Sequence, residues 1–273
     1  MAVALTGPAG ALKTAEREYA SERRRTALSM YGGRVALGLG TLLLWQLLSG
    51  AVLDPFFFSR PSDMWAALVE IIRSGQFQLN VGLTVEEAFL GYIAGAFAAI
   101  LAATVLGLFP RAYAIAEPFV LVIYSVPSVA VGPLLIVWFG IGLTPKIVLA
   151  GYFVFFVVFM NGITGIRSVP RGWVEVTRVM GASRLQLISK VILRAAAPHL
   201  MIGLRTALPQ AVIGAVVAEF ISSERGIGFL ISNASAHYST AGVFVAILIL
   251  SVLVLAMSVL LNAGSALQFA RRG

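Results

Sequence analysis

Apolar residues along the chain gather into long runs separated by short polar stretches. A membrane span needs about 20 mostly apolar residues, because the hydrocarbon core is roughly 30 Å thick and a helix rises 1.5 Å per residue. Six stretches meet that measure: Gly33 to Leu53, Thr84 to Phe109, Phe119 to Phe139, Pro145 to Ile163, Leu200 to Ile221 and Gly242 to Leu261. Two of the connections have a pattern of their own. The segment Asp54 to Leu83 holds Pro55 and Pro61, then Met64, Leu68, Ile71 and Ile72 at helical spacing, which predicts a short interfacial helix. The segment Thr164 to His199 is too polar to span and too apolar to be a free linker. The expected organisation is a polar tail (1–32), a first span (33–53), an outer loop (54–83), a transmembrane domain (84–265) containing the loop 164–199, and a tail (266–273). The fold class is all-α: a polytopic helical bundle of about six spans.

Composition agrees with lipid as the solvent. Hydrophobic residues make up 59% of the 273 and charged residues 12%, against roughly 25% charged in a soluble domain. The formal charge of +8 raises nucleic acid as a partner, but the basic residues lie between apolar runs rather than on one soluble face. The chain has no cysteine, which excludes disulfides and thiolate chemistry. Residues 1–28 carry Glu16, Glu18 and Glu22 among Arg17 and Arg23 to Arg25, so a removable signal peptide is not expected.

Lys and Arg are retained on the cytoplasmic side of a membrane. With the N-terminus inside, fifteen basic residues fall in cytoplasmic segments and four (Arg60, Arg73, Lys146, Arg225) outside, while Arg205 lies in a span near its inner end. Both termini are therefore expected in the cytoplasm, in a multi-pass protein of the cell membrane.

The loop 164–199 is the most informative segment. Pro170 can open a helix, since its missing N–H costs nothing in the first turn. Trp173, Val176, Thr177 and Met180 then share one face, and Glu175 lies toward the positive end of the helix dipole. Gly181 suits the left-handed position that ends a helix. Ser183 and Gln186 form a capping box for a second helix, striped by Leu185, Leu187, Ile188, Val191 and Ile192 and ended by Pro198. The residues alone leave two readings of the first helix: one lying flat on lipid headgroups, or a knob on which a soluble partner docks.

Glu175-Val176-Thr177, Gly181 and Val191-x-Leu193 together resemble the EAA loop of ABC importer permeases, whose pattern is E-A-A, three residues, G, nine residues, I-x-L-P. Gly181-Ala182-Ser183-Arg184 is similar to the nitrate, sulfonate and taurine branch. So are Pro133 to Gly142 before Lys146-Ile147, Gly203-Leu204-Arg205 to Ala218-Glu219, and Gly226-Ile227-Gly228. The resemblance runs from about Thr84 to Phe269; it departs at Val176-Thr177 in place of Ala-Ala and at Arg194 in place of the closing proline. It implies a type I ABC importer permease fold and a homodimer forming the pathway. It also implies an external substrate-binding protein, and cytoplasmic ATPase subunits that grip Trp173, Glu175, Val176, Met180, Gly181, Ala182 and Ser183. The implied cargo is a small anion such as an alkanesulfonate, taurine or nitrate, with a pyrimidine or vitamin precursor as the alternative. The chain has no G-x-x-x-x-G-K-[ST] phosphate loop, so ATP and its magnesium are expected on the partner ATPase and no cofactor on this chain.

Within the spans, Pro127 and Pro133 each remove a backbone hydrogen bond, which serves either a packing kink or the translocation pathway. Ser125 and Ser128 beside Pro127 favour the pathway, and Pro209 with Gln210 is read in the same way. Glu219 is a carboxylate inside an apolar run and needs a partner, water or a place near the interface; its position at the outer end of the fifth span makes the interface easiest. A part in gating or the contact between subunits is the functional reading. Gly91 and Gly95 let helices approach closely. His199 and His237 have no ligand-spaced companions and are expected to be satisfied polar residues near an interface, not a metal site. A stand-alone secondary transporter would call for intramembrane ionisable residues and inverted repeats, and a membrane enzyme for paired acids or a nucleophile with its base; the sequence offers little of either.

Overall fold

Among the described residues four long helices are apolar enough to cross a bilayer, or five if a bent helix pair counts as one span: α3 (Gln76–Leu108), α6 (Leu143–Arg167), the rod Arg184–Ile221, and α11, which is apolar over Thr240–Val259 and continues to Ala270. They belong to a computed structural model that describes residues 29–270. Most of the tail 1–32, and residues 271–273 of the tail 266–273, lie outside the described residues. The chain divides into two units, up to Asp63 and from Met64 onward.

In the first unit, α1 occupies residues 29–48, inside and just before the predicted span Gly33 to Leu53. A tight turn follows, in which Arg60 Nε donates to Ser49 O at 3.1 Å and Ser49 Oγ donates to Phe58 O. Gln46 accepts from the backbone N–H of Ser62 at 3.1 Å. Pro61 opens α2 (Pro61–Arg73).

In the second unit α6 lies between α3 and the helix α9 (Leu193–Ile221), and small residues set how closely they pack. A Cβ on Gly95 would meet the carbonyl of Gly151 and lie 2.9 Å from its Cα. A Cβ on Gly214 would lie 2.7 Å from Ala150 Cα, so α9 contacts α6 almost backbone to backbone. Water supplies no hydrophobic drive between helices in lipid, and close packing of this kind takes its place. Around the crossing, Ala99, Ala103, Val154, Val158, Ala207, Ala211 and Val212 are fully buried. The apolar stripe of α2, Met64, Leu68 and Ile71, packs with Phe77 and Val81 of α3 against Ile227 of α10 (Ile227–Ala236) and Val245 of α11.

Four expectations are corrected. First, the second span starts at Gln76, not Thr84. Polar Gln76 and Asn80 mask the apolar signal, yet they satisfy each other inside the helix, with Asn80 Nδ2 donating to Gln76 O at 2.7 Å. Second, the span Phe119 to Phe139 is not one helix. It is α4 (Pro110–Ser125) and α5 (Ser128–Phe139), bent by 92°. Third, Pro198 does not end the loop's second helix: α8 (Arg184–Gln186), a π-helical turn (Leu187–Ile192) and α9 run on as one rod to Ile221. Fourth, α11 extends through 266–270 of the predicted tail.

Candidate functional site

The segment after α6 folds as its local signals dictate. Pro170 stands at the N-cap of α7 (Arg171–Val179). Gly181 takes φ +80°, the left-handed conformation that glycine reaches without a Cβ clash. Its N–H donates to Arg178 O at 2.9 Å, and the N–H of Ala182 donates to Thr177 O at 3.2 Å. These are the paired bonds of a Schellman turn. Ser183 then caps the next helix reciprocally: its backbone N–H donates to Gln186 Oε1 at 2.9 Å, and Ser183 Oγ accepts from Gln186 N at 3.3 Å.

The face that this turn presents is apolar and open. Trp173 is 57% exposed, Val176 61%, Val179 89% and Met180 82%. Glu175 and Gly181 are exposed beside them, and Ala182 is half-buried. On the opposite side, Val174 packs with Val169, Val191 and Leu193 onto the main core. A short helix buried on one side and bare aromatic-aliphatic on the other meets the requirement of either reading of the sequence, a knob for a soluble partner or a helix lying on lipid headgroups.

The candidate pathway residues separate into three places. Pro127 lacks the N–H that would bond Ile123 O; that carbonyl accepts instead from the Tyr152 hydroxyl at 2.8 Å and from Val126 N at 3.2 Å. The break between α4 and α5 is thus held by a side chain of α6. Ser125 and Pro127 are exposed there and Ser128 half-buried, while Pro133 sits exposed within α5. Pro209 and Gln210 are half-buried in α9. Glu219 belongs to a third group.

Glu219 is 1% exposed, two residues before the end of α9, and finds its partners in a buried polar cluster. Its Oε1 accepts from Thr84 Oγ1 at 2.6 Å and its Oε2 from Gly228 N at 2.6 Å. Thr84 Oγ1 also accepts from Ile227 N at 2.9 Å, and Asn80 Oδ1 accepts from Gly226 N at 2.6 Å. A Cβ on Gly226 would overlap the Glu219 carboxyl, so the G-I-G sequence lets the turn before α10 close over that carboxylate. Beside it, Lys146 of α6 donates to Glu87 Oε1 at 2.7 Å and to Ser223 Oγ at 2.8 Å. Glu87, 1% exposed, was missed by sequence reasoning. The signal was present in a Thr-x-x-Glu pair, Thr84 and Glu87, on one helical face. His237 Nδ1 lies 2.8 Å from Asn233 O, whereas His199 Nδ1 is buried without a partner among the described residues, contrary to expectation.

The family model of a binding-protein-dependent transport system inner membrane component matches residues 46–265. The chain is 33% identical over 233 residues, 84% of each chain, to the putative aliphatic sulfonates transport permease protein SsuC of Bacillus subtilis. It is 29% identical over 230 residues to the taurine transport system permease protein TauC of Escherichia coli, covering 81% of this chain and 84% of that one. It is 41% identical over 136 residues to the riboflavin transport system permease protein RibX of Chloroflexus aurantiacus, about half of each chain. Among solved structures, an amino acid ABC transporter with histidines matches at TM-score 0.55 and 18% identity, over 76% of this chain and 98% of that one. The inward facing MetNI methionine ABC transporter matches at TM-score 0.52 and 21% identity, over 74% and 96%. These two likenesses concern the fold, which is that of a type I ABC importer permease.

Proposed function

Because the chain belongs to the family of binding-protein-dependent transport system inner membrane components and is the permease subunit of an ABC importer, we propose that its cargo is a small organic sulfonate of the alkanesulfonate or taurine type. The observation that carries this reading is the likeness to a sulfonate permease over 84% of both chains. A riboflavin-like cargo is the second reading, favoured by the higher identity to RibX over half the chain.

In this mechanism α7 is the part that the ATPase holds. Trp173, Val176 and Met180 fill an apolar groove of that subunit, Glu175 meets its rim, and the turn at Gly181 to Ser183 keeps α7 at a fixed angle to the rod behind it. ATP and magnesium bind between the ATPase subunits, and their closure is transmitted through α7 to α6 and to the rod Arg184–Ile221, which it joins. The fifteen-to-four distribution of basic residues supports placing α7 and both termini in the cytoplasm. A second copy completes the pathway, lined near the exposed break at Ser125, Pro127 and Ser128, along Pro133 of α5, and near Pro209 and Gln210 of α9. Glu219 acts at the opposite end from α7, where it fixes the turn before α10.

The test is uptake into proteoliposomes that hold this permease, its ATPase and its binding protein. ATP-dependent accumulation of labelled taurine or an alkanesulfonate is expected, with riboflavin left outside. Accumulation of riboflavin alone would reverse the assignment.

A further inference from the structure

The polar cluster at the ends of α3, α6 and α9 remote from α7 carries more charge than its hydrogen bonds account for. Glu87 and Glu219 are each 1% exposed, and among the described residues the one cation bonded to either is Lys146, through Glu87. Two ionised carboxylates against one ammonium would leave an uncompensated negative charge in a low-dielectric interior, where ionic desolvation costs several kcal/mol per ion. Glu87 nevertheless lies one helical turn beyond Thr84, whose hydroxyl bonds Glu219, and Lys146 bonds both Glu87 and Ser223, four residues after Glu219, so the two carboxyl groups share one buried cluster. Two carboxylate anions in one such cluster repel, and a pair so placed ordinarily keeps a proton.

Hydrogen-bond bookkeeping says where the proton sits. Both Glu219 oxygens accept from protein donors, Gly228 N and Thr84 Oγ1, whose one proton also faces Asn80 O at 3.1 Å but lies nearer Glu219 at 2.6 Å. On Glu87, Oε1 accepts from Lys146, while Oε2 is buried with no hydrogen-bond partner among the described residues. An acid O–H is the one carboxyl form that can donate. A proton on Glu87 Oε2, directed at Glu219, would satisfy the orphan oxygen and remove the excess charge together. A metal cation fits poorly, because the Lys146 ammonium already stands against Glu87 and the described residues contain no group of three or more His, Cys, Asp or Glu arranged to hold one.

We propose that Glu87 and Glu219 bind a single proton between them. It makes the group Glu87, Glu219 and Lys146 electrically neutral and forms a proton-bound clamp that joins α3, α6 and α9 to the start of α10. Four elements meet there: side chains of Asn80, Thr84 and Glu87 from α3, Lys146 from α6 and Glu219 from α9, and the backbone N–H groups of Gly226 to Gly228 at the start of α10. The clamp is a property of this chain and does not depend on which cargo is carried.

Infrared difference spectroscopy on the purified full-length protein in lipid tests it. The wild type is expected to show the C=O stretch of a protonated carboxylic acid at neutral pH, shifting in heavy water and absent from Glu87→Gln. In that variant the amide N–H stands where the proton was and its oxygen still faces Lys146, so its melting temperature is expected within about 3 °C of wild type. Glu87→Ala, which keeps the same two charges but takes the acceptor from Lys146 and the donor from Glu219 and leaves a cavity, is expected to melt lower by roughly 10 °C. Identical carboxylic-acid bands in wild type and Glu87→Gln would overturn the proposal. So would a Glu87→Gln protein that melts as low as Glu87→Ala or fails to fold, or a melting temperature that rises with added sodium.

Discussion

A Gly181→Val permease is expected to insert into the membrane in normal amount and to lose ATP-driven uptake at least tenfold. Gly181 has φ +80°, where a residue with a Cβ is strained by about 1–2 kcal/mol, and a β-branched one is a clear outlier. The turn can relieve that strain only by giving up the bonds from Gly181 N to Arg178 O and from Ala182 N to Thr177 O. No core atom is involved, since a Cβ on Gly181 meets nothing within 4 Å, so folding of the spans should be spared. What changes is the angle between α7 and the capping box at Ser183, and with it the presentation of Trp173, Val176 and Met180. Because each 1.4 kcal/mol of lost interaction is about a factor of ten in affinity, modest misalignment is enough to uncouple the ATPase. The check compares inserted protein with uptake in the same vesicles; full uptake by Gly181→Val would remove the turn from the mechanism.

Gly95→Leu is expected to do the reverse and prevent the permease from accumulating as a folded protein. The new Cβ would run into the backbone of Gly151, with Gly151 Cα at 2.9 Å and C at 3.0 Å, and backbone cannot rotate away as a side chain can. Overpacking a tight core typically costs about 1–3 kcal/mol and sometimes more, and here it must separate α3 from α6 along the buried line Ala88, Ala99, Ala150 and Val154. Gly82→Leu is the control, because a Cβ there meets nothing within 4 Å. Size-exclusion profiles and melting curves of the two variants decide: Gly95→Leu should be aggregated or absent, and Gly82→Leu close to wild type. Equal behaviour of the two would mean that the glycine crossing does not set the helix spacing.

Local chemistry explains which features were readable from the sequence. The α7 turn was legible to the residue, because a proline start, a left-handed glycine and a reciprocal Ser-Gln cap are all specified within seventeen positions, Pro170 to Gln186. The long spans were legible because lipid demands continuous apolar length. The bend at Pro127 was signalled only as a kink: the carbonyl that the proline leaves open is satisfied by Tyr152, twenty-five residues on, which no local pattern announces. Pro198 was misread as a terminus because a helix in contact with others can absorb a proline, and here α9 runs from Leu193 through Pro198 to Ile221. The Glu87, Lys146 and Glu219 group was least legible. Its members come from three helices far apart in the chain, and nothing local says that Lys146, read as an outer-loop cation, turns inward to Glu87.

The absence of cysteine from all 273 residues gives a direct test of whether α7 is where the ATPase grips. A single cysteine at Val176, 61% exposed on the apolar face, can be paired with cysteines lining the groove of the cytoplasmic ATPase and oxidised in membranes. A disulfide-linked permease–ATPase species that forms at Val176→Cys, but not at a cysteine replacing Val122 in α4, is the predicted result. Cross-linking that is absent at Val176, or no stronger there than at Val122, would contradict the account.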